Sequence, residues 1–268
     1  MVDIPAGDRQ DLLRIALELA DAAGTAILPH FRARGLSAEN KDQDGFDPVT
    51  VADRAAEQAM RAVLARARPQ DAIHGEEAGR ASGTSGLTWV LDPIDGTRGF
   101  IAGVPLWCVL IGLDTGDGPQ LGVVDQPYIG ERFVGAFGRA TVTRLGHERE
   151  IAVRPCGALS DATLFTTFPE VGTEAEGEAF ARVAREVRLT RYGTDSYAYA
   201  LLAMGHIDLV IEAGLRAYDI QGPMAVIQAA GGHVTDWRGG PAHQGGRVIA
   251  AGDPRVHAQA LALLQDVP

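Results

Sequence analysis

The chain has 268 residues, 46% apolar and 22% charged, enough to bury a large core and too apolar for a disordered polymer. Thirty-five acidic residues against 24 basic ones give a formal charge of -11, and no stretch interleaves Lys or Arg with aromatics, so nucleic-acid binding is disfavoured. The longest uncharged runs, around 99–113 and 220–235, are too short and too broken by Gly and Pro to span a bilayer, and Cys108 and Cys156 form neither a disulfide framework nor a metal-ligand spacing.

The opening MVDIPAGDRQD lacks the basic and apolar stretches of an export signal, which predicts a cytoplasmic protein. Over 8–28, Leu12, Ile15, Ala16, Leu19, Ala23 and Ile27 recur at three- and four-residue steps, an amphipathic helix stopped at Pro29. A second helix is predicted over 51–67 from Ala56, Met60, Val63, Leu64 and Ala67. Its stripe extends back to Asp53, which is either a carboxylate on the buried face or a part-exposed first-turn acid complementing the helix dipole. LTWVL (87–91) and LWCVLIGLD (106–114) read as buried strands flanking a carboxylate-rich turn. Strands at 121–124, 132–137 and 140–145 continue as an antiparallel meander, so the first half is α+β.

Past about residue 151, strand and helix alternate: strand 163–167, helix 174–187, strand 189–192, helix 196–204, strand 207–212. A helix over 219–231 follows, with Asp219 as N-cap and Pro223 in the first turn, then strands 233–237 and 248–251 and a helix over 254–264. The expectation is a mixed α+β and α/β chain of two subdomains, 1–150 and 151–268, with the active site in the cleft between them.

In LDPIDGT, a strand delivers Asp92, and Asp95 follows three residues on, so a tight turn can aim both carboxylates at one point. Two such anions repel unless a cation lies between them; the bland alternative is an ordinary Asx turn. Gly96 and Thr97 offer backbone N–H groups at a helix start, a seat for phosphate. Glu76 and Glu77 in HGEE are either a third contribution to the cation cluster or a solvated acidic loop, and Asp219 is a fourth ligand or a simple cap. Together they suggest an oxygen-only Mg²⁺ site. His74, His147, His206, His233, His243 and His257 show no ligand spacing, and Cys108, Trp89, Trp107 and Trp237 read as core residues.

HGEE, WVLDPIDGTRGF and AYDIQGPMAVIQAAGGHVTDW, in this order, resemble the Mg²⁺-dependent inositol monophosphatase superfamily, whose fold is a layered αβαβα sandwich. The likeness covers nearly the whole chain. DGTRGFIAGVPLW, YGTDSYAYALLAMGHIDLVIEAGL and AYD look most like the histidinol-phosphate phosphatase branch. The resemblance implies that Glu76, Asp92, Asp95, Asp219 and the Ile94 carbonyl bind two or three Mg²⁺ ions, and that Asp53 and Thr97 polarise the attacking water. It further implies that Gly96 and Thr97 bind the phosphate, and that Asp195 and Glu212 contact the rest of the substrate. A homodimer acting on a small phosphate ester, with no nucleic acid or membrane partner, is implied as well.

The chain departs from that branch at Ala78, where Phe is frequent, and at Gly222 and Pro223, where small apolar residues are usual. Hydrolysis of L-histidinol phosphate is therefore one expectation. An inositol-1-monophosphatase or another sugar or nucleotide phosphatase is a second, and a non-enzymatic binding protein a third.

Overall fold

Strands that are apolar at nearly every position must be covered on both faces, and that requirement organises the molecule. The computed structural model describes residues 4–34, 38–40 and 48–267. The chain begins with α1 (Ala6–Ile27), a ribbon of β1 (Ala38–Asn40) and β2 (Pro48–Thr50), and α2 (Val51–Ala67). Next come β3 (Ala72–Gly75), β4 (Gly79–Ala81), β5 (Thr88–Asp95) and the short α3 (Thr97–Ile101). β6 (Cys108–Asp114), β7 (Pro119–Gln126), β8 (Glu131–Ala136), β9 (Arg139–Arg144) and β10 (His147–Glu150) form the meander. The remainder comprises β11 (Thr163–Thr166), α4 (Glu174–Glu186), β12 (Leu189–Tyr192), α5 (Tyr197–Ala203), β13 (Leu209–Arg216), α6 (Ala217–Ala229), β14 (His233–Asp236), β15 (Gly245–Ala251) and α7 (Pro254–Leu264).

Eight strands pair in the order β10-β9-β8-β7-β6-β5-β3-β4, and five in the order β12-β11-β13-β15-β14. The meander is longer than the apolar pattern announces. β10 (HERE) is exposed and polar throughout, and the β3–β4 hairpin carries short half-exposed strands, so neither leaves a hydrophobic signature. In the smaller sheet β11 runs parallel to both β12 and β13, while β15 is antiparallel to β13 and β14.

Side-chain alternation divides the interior into three cores. Val109, Ile111 and Leu113 of β6 pack with residues of α1 and α2, whereas Cys108 and Leu110 face α5 and α6. In β15, Val248 and Ala250 join that same middle core; Ile249 and Ala251 join the outer one beneath α4 and α7. Helices, sheet, helices, sheet, helices: this is the layered αβαβα arrangement.

α6 sits in the middle layer and is buried continuously from Ile220 to Ile227. Gly112, Gly122 and Gly135 are register partners on β6, β7 and β8, a row without side chains across three strands. A Cβ on Gly122 would overlap the Gly222 carbonyl oxygen, and one on Gly135 would overlap the Val226 backbone. A Cβ on Gly222 would itself meet the Ile111 and Val123 carbonyl oxygens at 3.0 Å. The helix thus lies almost directly on the sheet, which explains the unusual Gly222.

Two sequence expectations change here. β13 runs straight into α6, whose N-cap is the extended Arg216, so Asp219 is the third helical residue and not the cap. Its Oδ2 accepts the Arg216 N–H at 2.6 Å. Pro223 accordingly lies inside the helix, beyond the first turn, where it cannot donate to the Asp219 carbonyl.

Candidate active site

β5 delivers the first two carboxylates. Asp92 pairs with Leu110 and Asp95 with Cys108, so β5 carries one residue more than β6 over this stretch. Residues three apart on a regular strand point to opposite faces; the extra residue of the bulge returns Asp95 to the side used by Asp92. The convergence predicted for LDPIDG therefore arises at the bulged end of a strand and not in a tight turn. Asp219 arrives from the first turn of α6, and carboxylate oxygens of Asp92, Asp95 and Asp219 lie within 4.8 Å of one another. Among the described residues this is the one group of His, Cys, Asp or Glu with such spacing, and it contains no histidine.

Glu76 joins from the β3–β4 turn. Its N–H donates to the Leu91 carbonyl at 3.1 Å, which anchors the turn beside β5, and its charge pushes up the pKa of Asp92 and Asp219. The residue that holds this turn is one the sequence reading passed over. Glu57 is 1% exposed on α2; its Oε2 accepts the Glu77 N–H at 2.7 Å, and its Oε1 accepts the Ala78 N–H at 3.0 Å and Arg61 Nε at 2.7 Å. A Cβ on Gly75 would overlap that carboxylate. The available signal was Glu57 lying one turn beyond Asp53 on the same buried stripe.

Asp53 is the carboxylate on the buried face that one reading proposed; it lies in the first turn as the other had it, but at 1% exposure it is not part-exposed. Its Oδ2 accepts Thr50 N–H at 2.8 Å and Thr50 Oγ1–H at 2.6 Å, while Oδ1 is buried with no partner among the described residues. Burial raises its pKa, and the Thr50 bonds oppose that rise. Gly96 has φ 82°, the left-handed region glycine favours, and turns the chain into α3. Thr97 Oγ1 donates to the Ile94 carbonyl at 2.9 Å, so two of the expected site groups contact each other directly.

The carboxylate cluster is electrostatically unfavourable as it stands. Burial, reinforced by Glu76, Asp95 and Asp219, holds Asp92 well above the usual carboxylate range, and burial with Asp95 does the same to Asp219. Burial and Asp195 push Asp95 up to about 7 against the Ser196 bonds. Asp92 Oδ1 is buried without a partner among the described residues. Ionised buried oxygens without donors are costly, and a hard divalent cation relieves both burial and repulsion. The residues present fit such an ion.

The other wall comes from the second sheet. The Ser196 N–H donates to Asp95 Oδ2 at 2.7 Å, tying the start of α5 to β5. Asp195, at φ 44°, lies against Gly96, where a Cβ would stand 3.1 Å from its Oδ2. Burial raises the Asp195 pKa and Arg98 lowers it; the Arg98 guanidinium also lies 4.9 Å over the exposed Phe168 ring. Neither Arg98 nor Phe168 was singled out from sequence. Glu212 is engaged by its own chain: Thr167 N–H and Oγ1 donate to Oε1 at 2.7 and 2.9 Å, and Thr166 Oγ1 donates to Oε2 at 3.1 Å. Burial pushes its pKa up to about 7 despite those bonds.

Comparison with known proteins agrees with this fold. The profile of the inositol monophosphatase family matches residues 8–268. The chain is 43% identical over 258 residues to the bifunctional phosphatase IMPL2, chloroplastic, of Arabidopsis thaliana, covering 92% of this chain and 73% of that one. It is 38% identical over 265 residues to a histidinol-phosphatase of Streptomyces coelicolor, covering 96% and 98%. A solved inositol monophosphatase from Zymomonas mobilis superposes with a TM-score of 0.85 at 40% identity, covering 98% of this chain and all of that one. With its fold and nearly its whole length in common with these phosphatases, the chain belongs to the inositol monophosphatase family and is a phosphoric monoester hydrolase.

Proposed function

We propose that the protein hydrolyses a small-metabolite phosphate monoester with Mg²⁺, preferentially L-histidinol phosphate. The observation that carries this reading is the meeting of Asp92, Asp95 and Asp219, from a bulged strand and a helix start, with Asp92 Oδ1 buried and unpartnered among the described residues. Glu76, those aspartates and the Ile94 carbonyl would hold the ions. When bound, they neutralise phosphate charge and make water a stronger acid.

The chain's own groups do the rest. Asp53 Oδ1, buried and without a donor among the described residues, would accept a proton from a nucleophilic water, with the Thr97 hydroxyl orienting that water. Main-chain N–H groups at Gly96 and Thr97 bind phosphoryl oxygens. α6 belongs to the 151–268 unit yet lies on the sheet of the 1–150 unit, which supports a reaction held between the two.

Histidinol phosphate carries an ammonium and an imidazole, and Asp195 with Glu212 offers anionic partners. Two observations favour a neutral polyol phosphate as the second reading: Arg98 already lies beside Asp195, and Glu212, pushed up to about 7, is held by threonines. A panel of phosphate esters assayed with Mg²⁺ and with chelator tests the proposal; equal phosphate release in chelator would sink it. Asp195→Asn should depress turnover of the amine ester more than that of an inositol phosphate. The same reading makes the chain a cytoplasmic homodimer. The buried thiols of Cys108 and Cys156 support a reducing compartment, the dimer rests on family likeness, and sizing chromatography tests it.

A further inference from the structure

Pro223 cannot donate to the Asp219 carbonyl, so α6 lacks the helix bond that would close its turn over this member of the carboxylate cluster. Two residues beyond Asp219, Gln221 is the one polar side chain in the buried stretch from Ile220 to Ile227, at 1% exposure. Its Nε2 donates to Asp114 Oδ2 at 2.8 Å and to the His243 carbonyl at 3.0 Å. Both partners are acceptors, which fixes the orientation of the amide, and the first is a carboxylate. Oε1 is buried with no partner among the described residues. A buried amide oxygen left unpaired is costly, so what this side chain contributes lies at its donor end.

The two partners belong to different sheets. Asp114 ends β6, and its Oδ1 accepts the Gly116 and Gly118 N–H groups at 2.7 and 3.2 Å, so the β6–β7 turn holds the carboxylate in place. His243 lies between β14 and β15, in a turn closed by the Gly245 N–H donating to the Ala242 carbonyl at 3.0 Å. Gly112 on β6 gives Gln221 its room, because a Cβ there would stand 2.9 Å from the Gln221 Cβ.

We propose that Gln221 is a positioning residue for Asp219: its amide braces the first turns of α6 against both sheets in place of the helix bond that Pro223 removes, and the affinity of the carboxylate cluster for a divalent cation depends on that brace. Gln221 acts through the backbone of α6, without touching ion or ester. This deepens the metal-dependent phosphatase reading and rests on it.

The test titrates Mg²⁺ calorimetrically into the metal-free wild type, Gln221→Met, Pro223→Ala and the double variant, well below each melting midpoint, and measures kcat at saturating Mg²⁺. Met matches Gln in length and makes neither bond. Gln221→Met should bind Mg²⁺ about 10-fold more weakly, with kcat at saturating metal within about 3-fold of wild type. Pro223→Ala restores an N–H toward the Asp219 carbonyl, so in the double variant it should recover most of the lost affinity. A role confined to overall stability would show as a lowered midpoint whose affinity loss the second substitution does not relieve. Asp114→Asn sets an N–H group against Gln221 Nε2 and breaks the brace from β6 without altering α6. It should weaken Mg²⁺ binding in the same direction, and it decides the matter if Gln221→Met does not fold. Wild-type affinity in both Gln221→Met and Asp114→Asn, or a loss that Pro223→Ala does not relieve, would overturn the inference and leave the phosphatase reading intact. A wild type that binds no Mg²⁺ and needs none for turnover would overturn the metal-dependent reading and the inference together.

Discussion

Gly122 of β7 faces Gly222 of α6 so closely that a side chain on either would strike the other element's backbone. This contact sets how near α6 lies to the first sheet, and α6 carries Asp219 in its first turn. Gly122→Ala should destabilise the protein by about 1–3 kcal/mol through overpacking and should also reduce Mg²⁺-induced thermal stabilisation, because the helix must retreat with Asp219. Gly7→Ala, in α1 with nothing within 4 Å of the added carbon, is the control and should not destabilise. Thermal melts with and without Mg²⁺ separate the two outcomes.

Asp92→Asn keeps the volume of the side chain and removes a buried charge. Turnover should fall by roughly 10²-fold or more, because the proposed cation site loses a central ligand. The melting midpoint of the metal-free protein should stay level or rise, since burial and three neighbouring carboxylates disfavour the charge removed. A sharply lowered midpoint in chelator would contradict this account.

Metal-free stability should depend on pH in a definite direction. Unfolded carboxylates titrate near about 4, whereas Asp95 and Glu212 are pushed up to about 7 and Asp92 and Asp219 lie well above the usual range. The folded chain therefore retains protons that the unfolded chain has released. For Asp95 and Glu212 that contribution to stability is complete below about pH 4 and is lost as pH rises through about 7. A divalent cation takes the place of those protons, so Mg²⁺ should raise the melting midpoint more at about pH 8 than at about pH 6. Equal shifts at the two values would contradict the linkage.

Glu57→Gln should weaken Mg²⁺ binding about 10-fold while leaving turnover at saturating metal less affected. Glu57 does not reach the cluster; it fixes the backbone of Glu77 and Ala78 and so the turn that presents Glu76. Metal titration by calorimetry reads the first effect and steady-state kinetics the second. Unchanged affinity would show that the turn holds its place without Glu57.

Much of this molecule was legible along the chain. Helical stripes such as Leu12 to Ile27 and apolar runs such as LWCVLIGLD report burial directly, because a side chain's face follows from its position within one element. The motif residues Glu76, Asp92, Asp95 and Asp219 were visible as an oxygen-donor set for the same local reason. What the linear order concealed was everything that depends on register between elements. Asp92 and Asp95 share a face only because β5 gains a residue against β6. Asp219 reaches them because three glycines, distant from it in the chain, align in one row. Glu57 went unremarked in the sequence, because its part is defined only where its oxygens meet the backbone of Glu77 and Ala78. Pairing, bulging and close approach are relations between segments, and no single segment carries their energy.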